Sequence, residues 1–535
     1  MASRRLIRLC WCRSTNWRPP RWRNSCVALR AINDNIIITA RLSARKLRYI
    51  SRFTLYPTTF HVGRGCIVKK PCSARQGHDS YRWFLVAAER GNPYAQFNLG
   101  RIYKAGDGVA RDEAQAFYWM NKAAVQGIAY AQNHLGAMYY YGRGVDADDG
   151  LAVHWFRSAA TQGEASAQQN LGQMYRKGRG LVRSDEAAVL WFARAAEQGL
   201  VSAQTLLGEA YAEGRGVTRC YPMAMAWYRK AALQHDPHAQ VRLGLMYKHG
   251  CGVTRNENQA VAWFRQAAMR DVPAAQRLIG VAYAEGRGVR CDPRRAVAWL
   301  LRAAERDDAD AQYNLGVMLA NGKGVEQDLE LALVWYQRAA EAGHVLAQYN
   351  LGSMYARGRG VDRDERRALE WYRMAAEQGA ANAQFNVGVM YANGHGVNKD
   401  EVLAAAWYRS AAEQGDAGAQ NNLGAMYANG VGVERDDVQA VDWYGRAAEQ
   451  GHPLAQFNLS SMYRSGRGVV RDPGRCLMWL TLSAQAGDVA AGSNRQRMQL
   501  VMTAQAIAEA QELARQWRAA HPAALAPAQH GRAAD

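Results

Sequence analysis

Three groups of residues in this 535-residue sequence have types and spacing that could do chemistry. The first is a Gly-x-Gly that recurs from Gly106 and Gly108 through to Gly466 and Gly468. Glycine-rich turns can cradle a phosphate, but such a turn follows a strand and opens a helix. Here every pair follows a helical pattern. The nearest approximation to a P-loop, Gly316 to Gly324, puts five residues between Gly316 and Gly322, and Lys323 is not followed by Ser or Thr. The second group is Ser43 and Lys46, the Ser-x-x-Lys of serine acyl-enzymes, without a Ser-Asp-Asn or Lys-Thr-Gly partner. The third is His235 and His238, which share a turn but have no further ligand and no His-Glu-x-x-His. Carboxylates are abundant, yet none stands isolated among apolar residues as a tuned acid or base would. The expectation is therefore no catalytic residue, no metal and no cofactor, with these residues acting as helix ends and solvated surface.

The composition is that of globular material rather than a disordered tail. Hydrophobic residues make up 49% and mean hydropathy is -0.38. No apolar run is long enough for a transmembrane helix. The net charge of +20 belongs mostly to the start of the chain: residues 1–80 hold 17 Lys and Arg against Asp34 and Asp79. The rest is nearly balanced. Cysteine is odd in number at nine, five of them (Cys10, Cys12, Cys26, Cys66, Cys72) in that basic stretch, so a disulfide-stapled secreted fold is not indicated.

Self-similarity decides the fold. Ala-Gln begins at Ala95 and recurs every 36 residues to Ala455, eleven times without an insertion. A Trp follows each Ala by 24 residues, from Trp119 to Trp479, and Trp83 extends the series back by half a unit. Counting from zero at the Ala, positions 0, 1, 4, 5, 7 and 8 share one face of a helix and are small or apolar. Positions 2, 3, 6, 9 and 10 share the other and vary. Gly at 11 and 13 ends this first helix. Position 14, Val or Leu, returns the loop to the core. Position 17 is Asp in eight units, with Ser184 and Asn256 in two more, and caps a second helix; Cys220 is the exception. That helix carries Ala at 21, Trp at 24, an aromatic usually at 25 and Ala-Ala at 28 and 29, so 21, 24 and 28 form the expected core stripe with Trp as its anchor. Gly at 32 closes most units. His235, Asp271 and Asp307 replace it, and Pro237 and Pro273 suggest a different turn there.

The pattern A-Q-x-x-L-G-x-M-Y-x-x-G-x-G-V-x-x-D…A-x-x-W-Y-x-x-A-A-x-x-G resembles the Sel-one-like repeat (SLR) family, relatives of the tetratricopeptide repeats. The match runs from Tyr81 to Gly487. The resemblance implies an all-α, right-handed superhelical α-solenoid of 36-residue helix-turn-helix repeats, used as a scaffold for protein complexes. Some cysteine-rich secreted relatives carry a penicillin-binding or β-lactamase label, but the paired cysteines that mark them are missing here.

The expected organisation is a basic, disordered leader over 1–78, the solenoid over 79–490, a capping helix over 491–520 and a flexible tail over 521–535. The capping helix has an apolar stripe of Ala504, Ile507, Ala508, Ala510, Leu513 and Ala514. The leader is rich in Arg and Trp and lacks the apolar core of a secretory signal, which favours the cytoplasm over secretion. Nucleic acid or a membrane surface would be bound only through this leader.

A protein or extended peptide is the expected partner, seated on the free face of the first helices, which the curvature of the stack would place on the concave side. Position 3 is Asn98, Asn170, Asn314, Asn350, Asn386, Asn422 and Asn458. Position 2 beside it is aromatic at Phe97, Tyr313, Tyr349, Phe385 and Phe457. An amide both donates and accepts, which suits a peptide backbone, and the rings add apolar contact. The competing reading is that the Asn bonds the neighbouring unit. Arg176, Lys177, Arg242 and Lys248 make the middle of the row basic, favouring an acidic peptide.

Overall fold

The computed structural model describes residues 29–32, 35–38 and 74–522. The first two segments form an antiparallel hairpin, Leu29–Ile32 with Asn35–Ile38, in which Leu29 pairs with Ile38. The rest of the leader and residues 523–535 lie outside the described residues, and with them the expectations of disorder there. From Ala74 onward every described element is a helix, and each packs against the next in the chain except at the end, where Ala504–Ala520 packs against Pro473–Gln485. Among the described residues the first helix is Ala74–Glu89, which starts inside the stretch assigned to the leader and supplies the half unit that contains Trp83.

The Ala347 unit shows how the sequence builds a repeat. Its first helix, Val345–Arg357, ends at Gly358 with φ 65°, whose amide donates to Met354 O. The loop closes when the Asp364 amide donates to Tyr355 O at 3.0 Å. The Asp364 carboxylate then accepts the Arg367 amide and opens the second helix, Glu365–Glu377. Ten of the eleven position-17 residues cap in this way; Cys220 does not.

Two close approaches need glycine. At position 5, the Gly lies beneath the residue at position 25 of the same unit: a Cβ on Gly316 would stand 2.7 Å from Tyr336 Cδ1. At position 13, the Gly rests on the start of the preceding unit's second helix, so that a Cβ on Gly360 would stand 2.6 Å from Leu329 Cβ, and its φ is 70°.

Burial corrects the expected core stripe. Position 25 is buried in every unit, whereas the Trp at 24 is buried in only some: Phe156, Phe192, Tyr228, Phe264, Tyr336, Tyr372, Tyr408 and Tyr444 are all buried. Trp335 is buried at 2% exposure, but Trp155, Trp191, Trp227, Trp263, Trp299, Trp371 and Trp407 are only half-buried. The reason is geometric. Position 25 points at the glycine of its own first helix, whereas the Trp packs on the cluster formed with the preceding unit, as Trp155 does on the cluster that contains Met120 and Leu135. Its outer face is often covered by a cation three residues on, such as Lys230 over Trp227 at 3.9 Å. Trp83, with no described repeat before it, is 66% exposed.

The buried Gln at position 1 ties units together. Gln348 Nε2 donates to Ala340 O of the preceding unit at 3.1 Å, and its Oε1 accepts from Gln378 Nε2, position 31 of its own unit, at 2.7 Å. Six other units repeat this relay: Gln126 to Gln96, Gln162 to Gln132, Gln198 to Gln168, Gln234 to Gln204, Gln414 to Gln384 and Gln450 to Gln420. In the other four, position 31 is Arg270, Arg306, Ala342 or Ala486. Those are the units in which the buried Oε1 of Gln240, Gln276, Gln312 and Gln456 has no partner among the described residues.

Two further expectations are corrected. His235, Asp271 and Asp307 do not bring a different turn; they adopt φ of 69°, 63° and 61°, the left-handed conformation of the glycines they replace. Pro237 and Pro273 serve as the first residues of the following helices, where no amide is needed. At the C-terminal end, the stretch 491–520 holds two helices, Val489–Gln499 and Ala504–Ala520. Ala510 and Ala514 face inward, but Ala504, Ala508 and Leu513 are exposed. The anchor is Trp517, edge-on to Trp479 with ring centroids 5.8 Å apart, which turns the stripe toward 507, 510, 514 and 517.

Candidate partner-binding face

The structure sorts the position-3 asparagines of the first helices into three groups. Asn98, Asn170 and Asn458 are committed within the fold. Asn98 is buried and donates to Tyr94 O; Asn170 Nδ2 donates to Asn133 Oδ1 at 2.9 Å and Asn458 Nδ2 to Asn421 Oδ1 at 3.0 Å, each reaching the preceding unit. For Asn170 and Asn458 this is the competing reading, a bond to the neighbouring unit, whereas the Asn98 bond stays within its own helix. Asn350 lies within hydrogen-bonding reach of the Tyr313 and Tyr336 hydroxyls, and Asn422 of the Tyr408 hydroxyl. Asn314 and Asn386 are half-buried and have no hydrogen-bond partner among the described residues.

The aromatic neighbours are braced rather than free. Tyr313 stacks on His344, the cap of the following first helix, at 4.5 Å and tilts against Tyr336 at 5.9 Å. Tyr349 lies 5.6 Å from Tyr372, and Phe385 lies 5.9 Å from Tyr408. Phe97 is buried beside Tyr130 and His134. The half-exposed edges of Tyr313, Tyr349 and Phe385 therefore offer fixed apolar surface next to amide groups. Burial raises the Tyr313 pKa, and the phenol stays protonated as a donor.

Sequence reading missed that His134 occupies the position-3 slot of its unit. The signal was present, since His134 is Ala131 plus three. Burial, together with Lys104 and Arg101, pushes its pKa down to about 4. The basic middle of the row is weaker than expected, because Arg242 pairs with Glu209 at 3.0 Å.

The residues considered for catalysis sit in structural roles or beyond view. Gly316 is inside the helix Ala309–Ala320, under Tyr336, with no room for a phosphate. His235 and His238 are exposed. Ser43 and Lys46 lie outside the described residues. No group of three or more His, Cys, Asp or Glu among the described residues is placed to hold a metal. Burial pushes the Cys476 thiol up to about 11, which leaves it a poor nucleophile. No helix among the described residues is long and apolar enough to cross a membrane.

Comparison with known proteins agrees with this architecture. The Sel1 repeat family matches residues 93–128, 129–164, 165–200, 201–236, 237–272, 273–308, 309–344, 345–379, 381–416, 417–452 and 453–488. No curated protein matches the chain. Among solved structures, a protective antigen of uropathogenic Escherichia coli with an SLR fold is 37% identical. That match covers 85% of this chain and 98% of the antigen, with a TM-score of 0.68. A Sel1 repeat protein of Oxalobacter formigenes is also 37% identical, covering 58% of this chain and 89% of its own, with a TM-score of 0.46. On eleven consecutive repeats and a full-length structural relative, the chain belongs to the Sel1 repeat family, a family of protein-interaction scaffolds.

Proposed function

We propose that this chain is a non-catalytic scaffold that seats an extended segment of a partner protein along the first helices of the units from Ala311 to Ala419. The observation that carries this reading is the pair Asn314 and Asn386, two units apart, half-buried and without a partner. Each stands beside a braced ring, Tyr313 or Phe385. A half-buried amide with unused donors and acceptor is poised to bond a peptide backbone, and a ring already held by packing costs little side-chain entropy to bind against. The test is affinity capture from lysate of the host cell, nuclease-treated, with the full chain as bait beside its Asn314→Ala, Asn386→Ala variant. A protein retained by the first and lost from the second, with equal helicity of both, supports the reading. Identical captured sets would move the binding surface elsewhere.

A further inference from the structure

Charge is distributed unevenly along the first helices. Pro93–Ala105, Ala129–Tyr141 and Ala165–Lys177 contain no Asp or Glu, yet they carry Arg101, Lys104, Arg176 and Lys177. Arg143 and Arg179 follow in the adjoining loops. These groups form a connected strip across three units. The Arg101 guanidinium lies 5.9 Å from the Phe97 ring, which lies 5.7 Å from the His134 ring. Arg143 sits 5.0 Å over Tyr141, whose ring is 4.8 Å from Tyr140. The Tyr140 hydroxyl accepts from Lys177 Nζ at 3.2 Å, and Arg179 covers the Tyr140 ring at 4.1 Å.

The cations are poorly neutralised. Arg179 has Asp149 at 2.7 Å, but Arg101, Lys104, Arg143, Arg176 and Lys177 form no ion pair among the described residues. Glu113, the acid near Lys104, is already paired with Arg111. Burial and the like charges of Arg143, Arg101 and Arg111 lower the Lys104 pKa, as expected where cations crowd without counter-charge. Farther along the stack, first-helix cations find acids: Arg242 is held by Glu209, and Arg277 by Asp308 and Asp310.

We propose that the first-helix face of the three units from Ala95 to Gly180 docks an acidic, Asp- and Glu-rich segment of a partner protein, held by Arg101, Lys104, Arg143, Arg176 and Lys177. Charge complementarity supplies the attraction, and the tyrosines beside the cations supply hydroxyls and ring surface. A phosphodiester backbone, charged at every link, would meet the loop acids Asp107 and Asp146, whereas a peptide can place neutral residues there. This proposal deepens the scaffold reading by adding a second surface. It is separable from the first because Asn314→Ala and Asn386→Ala leave these units untouched.

The test titrates the full chain into a fluorescein-labelled peptide that alternates Asp or Glu with Ser or Gly, read by anisotropy in about 0.1 M salt. Lys104→Glu, Arg176→Glu, Lys177→Glu should weaken binding about tenfold or more, and the neutral Gln versions by less but in the same direction. Three equal reversals elsewhere, at Arg290, Arg294 and Lys323, should change it little. The basic leader is present in every protein compared and cancels. Unchanged affinity in the first variant, or equal loss in both reversed variants, overturns the proposal. A single-stranded oligonucleotide probe whose binding falls more than the peptide's would also overturn it, in favour of nucleic acid.

Discussion

Removing Gln378 should loosen the joint between two repeats even though its side chain reaches the surface. In the native chain Gln378 Nε2 donates to Gln348 Oε1 at 2.7 Å, and Gln348 is only 1% exposed. Gln378→Ala removes the donor and leaves a buried acceptor in the situation already present at Gln312. An orphaned buried acceptor costs about 1–3 kcal/mol, and the lower half of that range applies here because Gln348 keeps its bond to Ala340 O. Global unfolding of a repeat array is not a clean two-state event, so a local readout is needed. Native-state hydrogen exchange across Val345–Arg357 provides it. A loss of about 1–2 kcal/mol should speed exchange by about 5- to 30-fold there and leave distant helices such as Ala129–Tyr141 unchanged. Ala342→Gln, which rebuilds the relay for Gln312, should slow exchange in Ala309–Ala320. If Gln378→Ala left protection of Val345–Arg357 at the native level, the relay would be geometry without energy and the argument would fail.

Other expectations follow from the same packing. Trp335→Ala, at one of the few fully buried tryptophans, should cost about 3–5 kcal/mol, and the same change at half-buried Trp371 should cost clearly less; paired melting curves separate them. Asp307→Gly relieves a left-handed aspartate at φ 61° and should raise the melting temperature slightly, for a gain of up to about 1 kcal/mol. His134 should give the chain an acid limb. Its pKa is about 4 when folded and about 6.5 unfolded, so the unfolded chain binds more protons between these values. Stability should be full above pH 6.5 and fall as pH drops toward 4, by at most about 3 kcal/mol, and His134→Asn should flatten that fall in pH-dependent melting.

The fold was legible because its determinants are local and repeated. Small residues at positions 0 and 5, glycines at 11 and 13 and a capping residue at 17 each fix a backbone feature within one unit, and eleven copies average out the exceptions. What escaped the sequence were relations between residues far apart in the chain. The role of Gln at position 1 depends on position 31, which is 30 residues away in the chain, and only the variants at Arg270, Arg306, Ala342 and Ala486 expose it. The tryptophans were over-read as core anchors because a helical wheel places 24 and 25 on neighbouring faces. Only the position-5 glycine opposite decides which of them goes inward. The asparagine row was legible as a row, but whether each amide spends itself inside the fold depends on position 2 of the preceding unit: Asn133 and Asn421 engage Asn170 and Asn458.

The most direct test of the scaffold reading is hydrogen exchange on the full chain with and without the captured partner. If the account is right, added protection falls on the first helices Ala309–Ala320, Val345–Arg357, Ala381–Asn393 and Ala417–Asn429, and Asn314→Ala with Asn386→Ala abolishes it. Protection confined to the second helices of the same units, Leu329–Glu341 and Glu365–Glu377, would place the partner on the opposite side of the stack and contradict it.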